Sequence, residues 1–191
     1  MPEMNIPKFL YHYYELKKGP FRNITEKGLE KATHIQSQIS EGWNSKRPHN
    51  YIELRFALEN RIKNQFISKG GKPTRNDPFY FTLGACEWAK SWYVNPNVIK
   101  IPLANFKSEH ISFTYPDSMV SFQLNDEPKL ETYRKKCNGQ VFLLNEIEDL
   151  VSQYGFPMTK RWQSEEAMKY DRYIEAQVWN DSIIKKCEIK D

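Results

Sequence analysis

Close to the C-terminal end, Arg172-Tyr173-Ile174-Glu175-Ala176-Gln177-Val178-Trp179-Asn180-Asp181 sets groups capable of chemistry among β-branched and aromatic residues. That mixture predicts a strand, closed by the Asn-Asp turn signal. Side chains alternate along a strand, so Ile174, Ala176 and Val178 share one face and Tyr173, Glu175, Gln177 and Trp179 the other. A carboxylate between two rings and an amide has three uses: a solvated edge, a buried ion-pair partner, or a group that stabilises positive charge developing on a substrate. Further candidates stand singly. His12 lies mid-strand among Tyr11, Tyr13 and Tyr14, where a satisfied core histidine is the plain alternative. Tyr80 and Thr82 lie on a short strand before Gly84. Cys86 opens a helix, where its thiol is either activated or simply buried beside Trp88. Trp88 and Trp92, four residues apart, share a helix face and are core or a base-stacking platform.

These residues need elements to position them. Residues 8–16 read as a first strand, with Phe9, Tyr11 and Tyr13 on one face and Leu10, His12 and Tyr14 on the other, broken by Gly19-Pro20. Asn23 with Glu26 starts a helix that Leu29, Ala32, Ile35 and Ile39 continue as far as Gly42. Leu54, Leu58, Ile62 and Phe66 predict a second helix from Tyr51 to about Ser68, closed by Gly70-Gly71. Strands follow at 79–82, 98–101 and 110–115, the last stopped by Pro116-Asp117-Ser118. Residues 119–140 read as two irregular strands. Leu144, Ile147, Leu150, Val151 and Tyr154 mark an amphipathic helix over 143–154. A polar loop over 158–170 precedes the final strand. The order predicts one α+β domain over 1–191, with helices gathered in the N-terminal half.

Composition narrows the classes. The 191 residues suffice for one core, and 11 Tyr, 11 Phe and 5 Trp against 39% hydrophobic content predict a core built on rings. No apolar run approaches a membrane span, and the N-terminus has no secretory pattern. Three widely spaced cysteines, Cys86, Cys137 and Cys187, fit neither a disulfide framework nor a zinc pattern, so a reduced, cytoplasmic protein is expected. A net charge of +4 permits nucleic-acid binding without requiring it. Phosphate-loop, dinucleotide-fold and nucleophile-elbow motifs are absent, and the four histidines lack zinc spacing.

Tyr11-His12-Tyr13-Tyr14, then Phe21-Arg22-Asn23-Ile24 and Gly28-Leu29, resembles the opening of NAD-dependent mono-ADP-ribosyltransferases, in particular the DarT-like branch. Arg172-Tyr173-Ile174-Glu175-Ala176-Gln177-Val178 is similar to that branch's last motif, an Arg followed three residues later by the catalytic Glu. The likeness covers about a quarter of the chain. Tyr13 and Tyr14 stand where the superfamily usually has threonine or serine. The chain as a whole is also similar to a group of Bacillus-type proteins, through residues 69–73, 82–88, 111–115 and 172–175, a likeness that carries no function.

The transferase resemblance implies an ADP-ribosyltransferase-like split sheet, mixed or antiparallel, that binds NAD between its first and last strands. Glu175 would stabilise the oxocarbenium-like ion formed as the nicotinamide–ribose bond breaks. His12 would hydrogen-bond the ribose or diphosphate, and Arg172 would orient the Glu or a phosphate. Tyr80 is the implied nicotinamide contact, with Tyr93 and Tyr115 as alternatives, and Tyr11, Tyr14, Arg22 and Thr82 complete the implied cofactor surface. Lys160, Arg161 and Trp162 in the preceding loop would meet the acceptor, a single-stranded nucleic acid or a protein, in a toxin or phage-conflict role. Two rival readings stand beside this: a non-catalytic nucleotide- or protein-binding module on the same fold, and a nucleic-acid-binding protein that uses the basic loops at 46–47, 72–75 and 160–161.

Overall fold

The computed structural model describes residues 6–39, 46–157 and 171–188. Six strands, β1 (Phe9–Glu15), β2 (Phe79–Leu83), β3 (Pro96–Pro102), β4 (Ile111–Thr114), β5 (Phe142–Leu143) and β6 (Glu175–Val178), form one sheet in the order β3-β1-β2-β6-β4-β5. Every neighbouring pair is antiparallel, so of the two sheet types expected the sheet is antiparallel and not mixed. The strand carrying Glu175 is central, with β2 on one side and β4 on the other.

Residues paired directly across an antiparallel ladder point to the same face. One face therefore carries Leu10, Phe81, Phe79, Ala176, Val178, Ile111 and Phe113, and packs on Ile147, Leu150 and Val151 of α5 (Ile147–Tyr154) and Ile184 of α6 (Asp181–Glu188). The other face carries the row Tyr11, Thr82, Glu175, Thr114 and the row Tyr80, Gln177, Ser112. Helix α2 (Tyr51–Ser68) covers part of it, packing Leu58, Ile62 and Phe66 on Trp179 with Phe122 of α4 (Ser118–Asp126). The short α3 (Glu87–Lys90) brings Trp88 and Ala89 onto Tyr13 and Tyr173. Gly71 ends the α2 region because a Cβ there would meet the Phe66 ring at 2.5 Å.

Several local expectations change. The helix begun at Asn23 is broken by Gly28, whose φ of 79° separates a 3-10 turn, Ile24–Lys27, from α1 (Leu29–Ser37). Residues 118–126 are helix, not strand. Val120, Phe122 and Leu124 alternate like a strand, but Asp117 caps the first turn by accepting the Val120 N–H at 3.1 Å. A 3-10 helix, Pro128–Tyr133, follows. Helices α4, α5 and α6 thus lie in the second half, and the expected gathering of helices in the first half does not hold. Asn180 is a helix cap more than a turn: its side chain accepts the Ser182 N–H and opens α6. Among the described residues no helix is long and apolar enough to cross a membrane.

Candidate functional site

Glu175 begins β6 and is 5% exposed, so it is no solvated edge. Three donors converge on its carboxylate: Gln177 Nε2 at 3.0 Å and the Ser118 N–H at 3.3 Å on Oε1, and the Tyr173 hydroxyl at 3.2 Å on Oε2. The preceding residue to Ser118 is Asp117, half-buried beside this group. Burial, and then the neighbouring Glu175 charge, push the Asp117 carboxyl up to about 7, against the Val120 N–H and the Arg172 and Arg55 charges. Two adjacent carboxyl groups, one of them titrating near neutrality, can carry charge and exchange a proton at the same time.

A second buried group adjoins the first. Glu59 on α2 accepts from Tyr80 Oη at 2.7 Å, Thr25 Oγ1 at 2.7 Å, Asn23 Nδ2 at 3.1 Å and Arg55 Nε at 3.2 Å. The Arg55 guanidinium lies 3.8 Å over the Tyr80 ring. Burial opposes its charge, but Tyr80, Tyr51, Glu59 and Glu175 around it outweigh that, and its pKa is raised well above the ordinary value. Arg55 is therefore a permanent cation, hydrogen-bonded to Glu59 and within electrostatic reach of Glu175.

The structure brings together some of the sequence-derived residues and separates others. Tyr11 and Thr82 lie in one row with Glu175, although the Thr82 hydroxyl is committed to the Gly84 carbonyl at 2.7 Å. Tyr80 lies on the same face with its ring under Arg55 and its hydroxyl on Glu59. The Arg172 guanidinium lies 3.9 Å over the Trp88 ring, close enough to Asp117 for that carboxyl to offset part of the burial that lowers the Arg172 pKa.

His12 faces the other way. Alternation places it opposite Tyr11, hence opposite Glu175, and the two do not share a site. Its Nδ1 donates to the Tyr80 carbonyl at 2.8 Å and its Nε2 accepts the Phe21 N–H at 2.9 Å, which fixes a neutral ring. Phe21 and Phe81 pack on it at 4.9 and 5.1 Å between ring centres. Burial lowers its pKa to about 4, partly offset by the Tyr80 hydrogen bond. Strands β1 and β2 pair only at Leu10–Leu83 and Tyr11–Thr82, and beyond that point the imidazole bridges the diverging backbones.

Tyr14 also faces away from Glu175 and accepts from Asn97 Nδ2 at 2.9 Å. Tyr115 belongs to the opposite core, with its hydroxyl on the Tyr154 carbonyl at 3.2 Å. Arg22 is exposed on the turn after β1. Lys160, Arg161 and Trp162 lie outside the described residues. Trp88 is core, and Cys86 is a buried thiol pushed up to about 11 by that burial, which removes it as a nucleophile. In the basic 72–75 loop, Arg75 is enclosed by ion pairs to Glu26 and Asp181 and stacks on Phe79 at 3.7 Å, so it braces the fold and is not presented to a phosphate backbone.

Asp117, Ser118, Arg55 and Glu59 were not singled out in the sequence. Asp117 was hidden in a turn signal. Arg55 and Glu59 had a readable mark, since they fall within the apolar stripe of α2 beside Ile52, Leu58 and Ile62. Comparison with protein-family models, with curated proteins and with solved structures returned no match.

Proposed function

We propose that this chain is an NAD-dependent mono-ADP-ribosyltransferase-like protein with Glu175 as its working carboxylate and Asp117 as the proton-exchanging partner. The observation that carries this reading is the enclosed pair itself: Glu175 oriented by three donors, with Asp117 beside it titrating near 7. In this mechanism the bond between ribose C1′ and the nicotinamide nitrogen breaks and its electron pair leaves with nicotinamide. Glu175 offsets the positive charge on the ribose, and the acceptor attacks C1′ while its proton passes to Asp117. Tyr11 and Thr82 lie beside Glu175 in the same row of the sheet. The reading does not use His12. The acceptor is a nucleic acid or a protein, and a toxin or phage-conflict role in the cytoplasm would follow from the family likeness.

A second reading, a non-catalytic nucleotide-binding module on the same fold, is favoured by one observation: the histidine expected to meet the substrate is sealed on the opposite face of the sheet. Labelled NAD incubated with wild type, Glu175→Gln and Asp117→Asn separates the two. Nicotinamide release and label on DNA, RNA or protein are followed, with thermal melts to check folding. Release by wild type, reduced about 10²- to 10³-fold in Glu175→Gln, is the expected result. Absence of release with every acceptor refutes the transferase reading, and calorimetric NAD binding then tests the module.

A further inference from the structure

Behind Glu175 runs a line of polar side chains that the reaction itself does not touch. Trp179 Nε1 donates to Ser112 Oγ at 2.8 Å, Ser112 Oγ donates to Gln177 Oε1 at 2.8 Å, and Gln177 Nε2 donates to Glu175 Oε1 at 3.0 Å and to Thr114 Oγ1 at 3.1 Å. Trp179, Ser112, Gln177 and Thr114 are 0% exposed. Replacing hydrogen-bonded partners together by apolar groups of the same shape can be nearly neutral for stability, whereas removing one partner of a buried hydrogen bond is costly.

The direction of the line is set at both ends, since the Glu175 carboxylate accepts and so takes the Nε2 end of the Gln177 amide. An indole N–H can only donate, so Ser112 Oγ must accept from Trp179 and keeps its own proton for Gln177. Ser112 then requires the carbonyl end of the Gln177 amide, which leaves the Nε2 end for Glu175. Without the indole donor, Ser112 loses the partner that holds its hydroxyl in line, its hydrogen bond to Gln177 Oε1 weakens, and the amide is freer to move off the Glu175 carboxylate. Trp179 is itself locked by stacking on Phe66, 5.9 Å between ring centres, and by backbone bonds of its carbonyl to the Thr74 and Arg75 N–H groups.

We propose that Trp179, Ser112 and Gln177 form a directional relay that positions the Glu175 carboxylate, with Gln177 as the positioning residue. Its catalytic consequence rests on Glu175 being the working carboxylate; its structural content does not. The test uses the full chain as Gln177→Leu, Trp179→Phe and the packing control Phe66→Leu, which removes the ring stacked on Trp179 and leaves every donor in place.

The first readout is the Gln177 side-chain amide, followed by NMR in the protein alone. Slowly exchanging amide protons are expected in wild type and Phe66→Leu, and exchange at least about tenfold faster in Trp179→Phe, as loss of a buried hydrogen bond requires. Unchanged amide exchange in Trp179→Phe overturns the relay. The second readout is NAD turnover. Gln177→Leu is expected to lower kcat about 10²-fold, as a misplaced reacting group does, with KM within about threefold. A kcat near the wild-type value in folded Gln177→Leu overturns the positioning role. If wild type consumes no NAD, the function reading falls, and amide exchange by itself still upholds or overturns the relay.

Discussion

His12 offers a quantitative test of the reasoning that separates it from Glu175. Its folded pKa of about 4 lies below the ordinary 6.5 because burial among aromatic rings penalises the charged imidazolium, and the hydrogen bond to the Tyr80 carbonyl offsets only part of that. Between those values the unfolded chain binds a proton that the folded chain does not, so stability rises with pH across the window. His12 withholds nothing above about pH 6.5 and withdraws stability as pH falls towards 4. A full proton corresponds to about 1.4 kcal/mol per pH unit, so the loss accumulates to about 3 kcal/mol by pH 4.

Asp117 acts in the opposite sense. Its pKa is raised from 3.8 to about 7, so its contribution is present at low pH and lost as pH rises through 7. The two partly cancel in wild type, and the decisive quantity is a difference. In His12→Gln an amide can still donate to the Tyr80 carbonyl and accept from the Phe21 N–H, but it does not titrate. The stability of wild type minus that of His12→Gln should therefore increase by about 3 kcal/mol from pH 4 to pH 7. Urea unfolding of both proteins at unit pH intervals measures it, and the His12 ring resonances give the midpoint directly. A flat difference, or a His12 midpoint near 6.5, would refute the sealed-histidine argument and reopen a ligand role for that side chain.

Two further outcomes follow from packing and charge. Among the described residues the buried Ser118 hydroxyl has no hydrogen-bond partner, so Ser118→Ala should raise stability by about 1 kcal/mol in denaturant melts, and a loss of that size would show that the hydroxyl is satisfied. Arg75→Gln breaks the links from the 72–75 loop to Glu26 and Asp181 and should destabilise by about 2 kcal/mol, whereas Lys72→Gln, at an exposed pair with Glu109, should stay within about 0.5 kcal/mol. Equal small effects at both positions would return Arg75 to the solvated surface.

Much of the fold was legible because it depends on neighbours in sequence. Apolar spacing in α2, ring-rich runs in β1 and β2, and the closing glycines are local signals, and the elements form where those signals stand. The α4 segment failed for the converse reason: Val120, Phe122 and Leu124 carry a strand-like period, and the capping side chain that selects helix is a single residue, Asp117. Strand alternation also set out correctly that Glu175, Gln177 and Trp179 share a face, and that Tyr11 and His12 do not.

Alternation cannot say which face of β1 meets which face of β6. That relation passes through β2, by the registers Tyr11–Thr82 and Thr82–Glu175, which link residues far apart in the chain and are settled by packing the whole sheet. The same holds for the site itself. Asp117, Ser118, Arg55 and Gln177 converge on one carboxylate from three elements, and the proton affinity of Asp117 comes from that convergence and from burial. The sequence by itself determined the elements and the faces of each strand; the tertiary structure decided which faces meet, because hydrogen-bond register and desolvation are properties of the assembled sheet.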